Sequence, residues 1–284
     1  MNKKPGYHLQ LLRHFALFMA ITLGFRSETY TQQLPGDKIT FNKKYLASYW
    51  HDSKQIVAAP FHWKAKQWSA FAGIVGVTAA VYFYDNEIFD FAQRNKSEFG
   101  TAASRYAIEP FGSGLYSIPV LGLIYLTGIN NNRHKKVALT GLKAYLISGG
   151  TAVVAKHLFH RHRPGDHDPP DAFLWDGPYP FRINHTALPS GHTTTAFAIA
   201  SVLAHGYKDK LWIGITAYSV ATLVGISRIN DGKHWATDVL TGAALGTFIG
   251  TVLSRLNFKE NSDFSLSLYE RDGINGFCLT FSLD

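Results

Sequence analysis

The chain has 284 residues, of which 46% are hydrophobic, 14% aromatic and only 17% charged. That charge fraction is well under the roughly 25% of an ordinary soluble domain and excludes a disordered polymer. A single cysteine, Cys278, excludes a disulfide scaffold and a multi-cysteine zinc site, while the net charge of +8 leaves nucleic acid, a membrane surface or a phosphorylated substrate as anionic partner.

In chain order, Lys3 and Lys4 lead into Phe15–Phe25, eleven mostly apolar residues that read as a signal-peptide core, although Arg26-Ser27-Glu28-Thr29 offers no small-x-small cleavage site. Residues 1–30 are therefore expected to be a signal-like or interfacial segment. Residues 31–66 read as an amphipathic interfacial segment. Within it Leu46, Tyr49, Trp50, Ser53, Ile56 and Val57 share one helical face, and Pro60 ends the run.

Residues 67–256 hold six runs almost free of charge: Gln67–Tyr84, Pro110–Asn132, Val137–Ala155 with only Lys143, Thr193–Tyr207, Leu211–Ser227 and Val239–Ser254. A helix on a soluble surface needs a strongly polar face, and these have none. They predict an all-α, six-helix transmembrane bundle. Small residues such as Ala243, Ala244, Gly246 and Gly250 are spaced for close helix contact. Residues 257–284 switch to a period of two: Phe264, Leu266 and Leu268, then Phe277, Leu279, Phe281 and Leu283 after Asp272-Gly273, predicting a short C-terminal β-hairpin.

Sorting the connections by side gives an orientation. One side receives Lys64 and Lys66, then Arg133, Lys135 and Lys136, then Lys208 and Lys210, then Arg255 and Lys259, as expected of a cytoplasmic face. If all six runs span, a cleaved signal would place these basic loops outside, so either Phe15–Phe25 is uncleaved and interfacial, the favoured reading, or the six helices do not all span.

The unusual polar chemistry falls on the other side, in three clusters. Lys156 and Arg163, followed by Pro164, are two helical turns apart and read as cations sharing one helix face around an anion. Pro189-Ser190-Gly191-His192 reads as a helix start with Ser190 as N-cap, whose amides and dipole suit phosphate. Ser227-Arg228, five residues, His234, three residues and Asp238 give a histidine whose tautomer a carboxylate four residues on can fix. Together they suit phosphoryl transfer through a phosphohistidine, with His234 attacking phosphorus and His192 first protonating the leaving oxygen and then activating water.

These motifs, complete, in order and separated by 24 and 34 residues, resemble the tripartite signature of the type 2 phosphatidic acid phosphatase family, which is related to vanadium haloperoxidases and bacterial acid phosphatases. The resemblance covers roughly residues 67–256. It implies His234 as nucleophile, Asp238 as its orienter, His192 as general acid, and Lys156, Arg163, Ser190, Gly191 and Arg228 as phosphate ligands. It also implies a six-helix membrane domain with its site on the non-cytoplasmic face. Singly, each motif has an ordinary explanation: snorkelling cations, a capped helix start, a structural His–Asp pair. Their joint occurrence favours function.

Neighbouring features are given plainer readings. His157, His160, His162 and His167 read as a solvated loop, since the chemistry needs no metal. Asp166, Asp168 and Asp171 are expected to balance Arg161 and Arg163, while Trp175, Tyr179 and Phe181 offer a lid, a headgroup contact or an interfacial anchor. The expected activity is a metal-independent, cofactor-free phosphatase of a lipid phosphate monoester or pyrophosphate in a bacterial-type inner membrane. Its partners are the phosphorylated lipid and membrane lipids, with no nucleic acid. The alternatives are a soluble periplasmic acid phosphatase, a haloperoxidase and a non-catalytic lipid-phosphate binder.

Overall fold

The computed structural model describes residues 40–128, 131–178 and 186–258, together with the backbone of 264–271 and 274–281. The signal-like segment of residues 1–30 lies outside the described residues. The helices are α1 (Lys43–Ala58), α2 (Ala65–Tyr82), α3 (Asp85–Arg94), α4 (Glu98–Ala102), α5 (Glu109–Ser113), α6 (Ser117–Thr127), α7 (Asn132–Phe159), α8 (Gly191–Gly206), α9 (Leu211–Asn230) and α10 (Ala236–Asn257). A π-helical turn, Ala103–Ile108, joins α4 to α5. Beyond them, the backbone of Phe264–Arg271 pairs antiparallel with that of Ile274–Phe281, Phe264 opposite Phe281.

Each charge-poor run is largely helical, but among the described residues three helices, α7, α9 and α10, are long and apolar enough to cross a membrane. The run expected as one span over Pro110–Asn132 is broken. Glu98–Ser113 and Ser117–Thr127 meet at 56°, and counting that bent pair as one span makes four. The break falls at Gly114, whose φ of +95° a side chain would oppose. At 16 residues α8 is only about 24 Å long. It is the centre of the bundle, with α7, α9 and α10 packed around it.

The core follows from that arrangement. Val137 and Ala144 of α7, Ala198 and Val202 of α8, and Ile249 and Leu253 of α10 form one buried cluster; Ala196 and Ala200 meet Ala221 and Val224 of α9 in another. The contact between α8 and α10 is made by the glycines of α10. A Cβ on Gly246 would lie 2.2 Å from the Thr194 carbonyl oxygen, and one on Gly250 2.4 Å from that of Ala198. Bare backbone on one side lets the two helices abut. The outward faces remain apolar: Leu211, Trp212, Ile215 and Ile226 on α9, and Leu146, Val153 and Val154 on α7, are exposed.

Helix α1 leaves part of the expected interfacial stripe on its outer face. Leu46, Trp50 and Val57 are exposed, whereas Tyr45, Asp52 and Ile56 are buried. The reason is Lys143, the one charge in its run. Its Nζ donates to Asp52 Oδ2 at 2.6 Å and to Ser48 Oγ at 2.7 Å, and Tyr45 Oη donates to the Leu139 carbonyl at 2.8 Å. A charge buried inside α7 thus selects the polar side of α1 as its partner. Asp52→Ala is expected to strand that ammonium and destabilise the protein by about 3–5 kcal/mol. The loss would be read as a lowered unfolding midpoint in detergent, and adding Lys143→Met should return most of it.

Chain direction sorts the ends of the bundle. Lys64 and Lys66, Arg133, Lys208, Lys210 and Arg255 flank one end of α2, α7, α8, α9 and α10. The opposite ends carry Asp85, Lys156, Ser190, Arg228 and Asp238.

Candidate active site

All the predicted polar residues gather at that second end. Lys156 lies in the last turn of α7. Helix α7 stops at Phe159, with His160 in a left-handed conformation, so Arg163 does not share its face as the spacing implied. The two converge through the loop instead. Lys156 Nζ donates to the Thr186 carbonyl at 2.5 Å, and Arg163 Nη2 to Thr186 Oγ1 at 3.3 Å. Ser190 is the N-cap residue of α8, although its side chain makes no capping bond: its buried Oγ accepts from Thr193 Oγ1 at 2.9 Å. Its amide donates to the Asp238 carbonyl at 2.9 Å, fixing the start of α8 to that of α10. Lys156 reaches over Gly191, where a Cβ would lie 3.8 Å from the lysine Cε.

His234 sits in the turn between α9 and α10, and Asp238 in the first turn of α10. Both are buried, at 3% and 0% exposure. Their nearest atoms, Nδ1 and Oδ2, are 3.6 Å apart, an ion-pair distance longer than a hydrogen bond, and Nδ1 has no hydrogen-bond partner among the described residues. Burial pulls the pKa of His234 down to about 4 from its ordinary 6.5; Asp238 opposes this, and Lys156 and Arg163 add to it. The imidazole is therefore neutral near pH 7. Arg228, in the last turn of α9, is held by Asp231, its Nη2 donating to Oδ2 at 2.6 Å.

Several partners were invisible in the motifs. His192 Nε2 lies 2.5 Å from Glu109 Oε1, brought there by α5, which packs on α8 through Thr195 Oγ1 donating to the Gly112 carbonyl at 2.7 Å. Burial lowers the pKa of His192, Arg228 and Lys156 lower it further, and Glu109 opposes them. Arg161 was expected to be balanced by loop aspartates. It is fully buried and donates to Asp238 Oδ1 at 2.7 Å, Asp85 Oδ2 at 2.6 Å and Thr237 Oγ1 at 2.7 Å. Burial would strip its proton, but the two carboxylates outweigh that and keep it charged. Of the loop aspartates, Asp166 accepts from the Arg163 amide at 2.8 Å.

The histidine tract is also more enclosed than a solvated loop. His160 and His162 are buried, and His162 bridges His167 at 2.6 Å and Asp176 at 3.1 Å. Among the described residues no group of three or more His, Cys, Asp or Glu is arranged to hold a metal ion. Trp175 packs inward: its Nε1 donates to Tyr82 Oη at 2.9 Å, and its ring covers the Arg161 guanidinium at 5.0 Å. Tyr179 and Phe181 lie outside the described residues.

Comparison with known proteins supplies a relationship. Residues 138–262 match the family model described as the PAP2 superfamily. The chain is 30% identical over 162 residues to the lipid A 1-phosphatase of Porphyromonas gingivalis, covering 54% of this chain and 33% of that protein. It is 34% identical over 96 residues to the lipid A 4'-phosphatase of the same organism, covering 34% of this chain and 39% of that one. The chain thus spans between a third and two fifths of the length of these relatives. The crystal structure of Aquifex aeolicus LpxE aligns with 59% of this chain and 92% of its own at 24% identity, with a TM-score of 0.46.

Proposed function

We propose that the chain, whose residues 138–262 match the PAP2 superfamily model, is a membrane-embedded phosphatase cleaving a lipid phosphate monoester or pyrophosphate through a phosphohistidine. One observation carries the reading: a neutral, buried His234 backed by Asp238 shares one end of the bundle with Lys156, Arg163, Arg228 and the first amides of α8.

The geometry supports two steps. With Nδ1 turned toward Asp238, Nε2 is the nitrogen left to attack. The Nε2–P bond forms as the bond from phosphorus to the leaving oxygen breaks, and His192 gives that oxygen its proton. Lys156, Arg163, Arg228, Ser190 and the Gly191 amide stabilise the charge on the equatorial oxygens. His192 then takes a proton from water, whose oxygen displaces Nε2 and releases inorganic phosphate. The cations are side chains, so no metal or cofactor is required. A headgroup would reach this end from the bilayer surface. The basic loops at the opposite end favour an inner-membrane orientation with the site facing the periplasm.

The two protonation demands set a pH window. His234 must be neutral, which holds above about pH 4, and His192 must be protonated, which holds below a pKa under its ordinary 6.5. The expected kcat/KM profile is a bell on the acid side of neutrality; a plateau reaching past pH 8 would contradict these roles.

Substrate class is tested with purified protein in detergent. Phosphate release is measured from phosphatidic acid, phosphatidylglycerol phosphate, a polyprenyl pyrophosphate and a lipid A phosphate, beside a soluble phosphate ester. Release from one or more lipids with little from the soluble ester supports the proposal. Preference for the soluble ester would favour the acid-phosphatase reading.

A further inference from the structure

Arg161 and Asp85 belong to none of the three motifs, and Asp85 lies outside the stretch matched to the family. Yet their side chains are entirely buried beside Asp238, the carboxylate that faces His234. The guanidinium has one nitrogen on Asp238 Oδ1 and Thr237 Oγ1 and another on Asp85 Oδ2, while its Nε and Nη2 also donate to the Ala172 carbonyl at 3.2 and 3.0 Å. The rings of Tyr82, Trp175 and Trp235 enclose it at 5.0–5.6 Å. Asp85 in turn accepts from the Thr237 amide at 3.0 Å, one of the orphan donors at the start of α10, and from the Thr237 hydroxyl.

Three consequences follow. First, Asp238 is held at Oδ1 by Arg161 and at Oδ2 by the Trp235 amide at 2.8 Å, so its carboxylate cannot swing away from His234. Second, a guanidinium paired with Asp238 alone would cancel the charge that His234 needs when its ring becomes cationic. Asp85 restores it: two carboxylates around one guanidinium leave a net charge of −1 facing the imidazole. Third, an arginine rather than a lysine is required, because only a planar fork reaches both carboxylates at once.

Resting on the phosphohistidine reading, we infer that Asp85 and Arg161 are positioning residues for His234, a buried relay that aims Asp238 and keeps net negative charge behind the nucleophile. Among the described residues, the hydrogen bonds of both side chains run to Asp238, Thr237, Ala172 and each other, and to none of the proposed phosphate ligands. Loss of the relay should lower the rate of the chemical step and leave binding intact.

The test uses the full chain in detergent and turnover of a lipid phosphate monoester in mixed micelles, with wild type, His234→Ala, Asp85→Asn and Thr237→Val measured together. Asp85→Asn keeps the shape and removes the charge. Its kcat should fall about 10- to 100-fold, with KM within about twofold of wild type. The acid limb of kcat/KM should move to lower pH, because a histidine with less negative charge nearby gives up its proton more readily. The charged groups facing His234, which are Asp238 from α10, Lys156 from α7 and Arg163 from the following loop, are unchanged by the substitution. A merely structural role predicts the opposite sign: loosening admits water and moves the limb up toward 6.5. That upward shift, or a kcat within about twofold of wild type, would overturn the inference.

If Asp85→Asn does not fold, Thr237→Val decides. It keeps shape and both charges but removes the hydroxyl bonded to Arg161 and Asp85. A kcat reduced about three- to tenfold at unchanged KM supports the relay, and an unchanged kcat overturns it. Activity in His234→Ala would overturn the phosphohistidine reading itself. An inactive His234→Ala beside a full-speed Asp85→Asn overturns the relay alone.

Discussion

His234→Ala should release no phosphate above the detergent blank, a loss of about 10⁴-fold or more, while remaining folded. The size follows from the role, since covalent catalysis has no route around a missing nucleophile. Folding survives because the imidazole contributes little to it: its Nδ1 makes no hydrogen bond among the described residues, and removing a buried, unbonded polar atom relieves desolvation. Two measurements check this. Circular dichroism and the unfolding midpoint in detergent should match wild type closely. Acid quenching during turnover of a labelled substrate should trap phosphate on the wild-type chain and none on the variant. Wild-type phosphate release from His234→Ala would remove this residue from the chemistry.

Gly246→Ala is expected to prevent or cripple folding, a large effect for one added methyl group. Its Cβ would sit 2.2 Å from the Thr194 carbonyl oxygen and 3.0 Å from Phe197 Cβ. Neither obstacle is the flexible end of a side chain, so relief requires α8 and α10 to separate. Separation would break the bond from the Ser190 amide to Asp238 and spread the site. A penalty above about 3 kcal/mol is expected, beyond the usual overpacking range. It would appear as aggregated or poorly recovered protein, or as an unfolding midpoint lowered by several degrees. Gly150→Ala is the control. Nothing lies within 4 Å of its added Cβ, and α7 should gain up to about 1 kcal/mol from the better helix former. Equal behaviour of the two variants would show that the helices do not abut as described.

The contrast between the two glycines illustrates what a linear reading can and cannot recover. Small residues at 243–250 announced a close helix contact, because the spacing of a helix face is written locally. The partner carbonyls of Thr194 and Ala198 could not be read, since nothing about a carbonyl is residue-specific. The same division runs through the site. Lys156, Arg163, Ser190, His192, Arg228, His234 and Asp238 were legible because each motif is short and each chemical demand is met within a few residues. Arg161, Asp85 and Glu109 were not. Their partners lie 76 to 83 residues away, and in the sequence they look like ordinary loop and helix-end charges. The break at Gly114 did carry a local signal, with Pro110, Gly112 and Pro119 around it. Absence of charge masked it, because hydropathy reports length without reporting straightness. Asp52 was missed for another reason: the apolar stripe drew attention to the outward side of α1, while the single charge in α7 selected the side turned inward.

The bond between Lys143 and Asp52 also bears on how the protein is made. A lysine near the middle of a spanning helix resists insertion by about 2.5–3.5 kcal/mol, and its counter-charge is placed earlier in the chain. By the time α7 emerges from the ribosome, α1 has already been synthesised and can dock as the lysine enters the bilayer. With α7 crossing a membrane as proposed, the polar face of α1 would serve as a tethered counter-ion for integration, and a version lacking residues 43–58 should stall at the insertion of α7 before catalysis is ever in question.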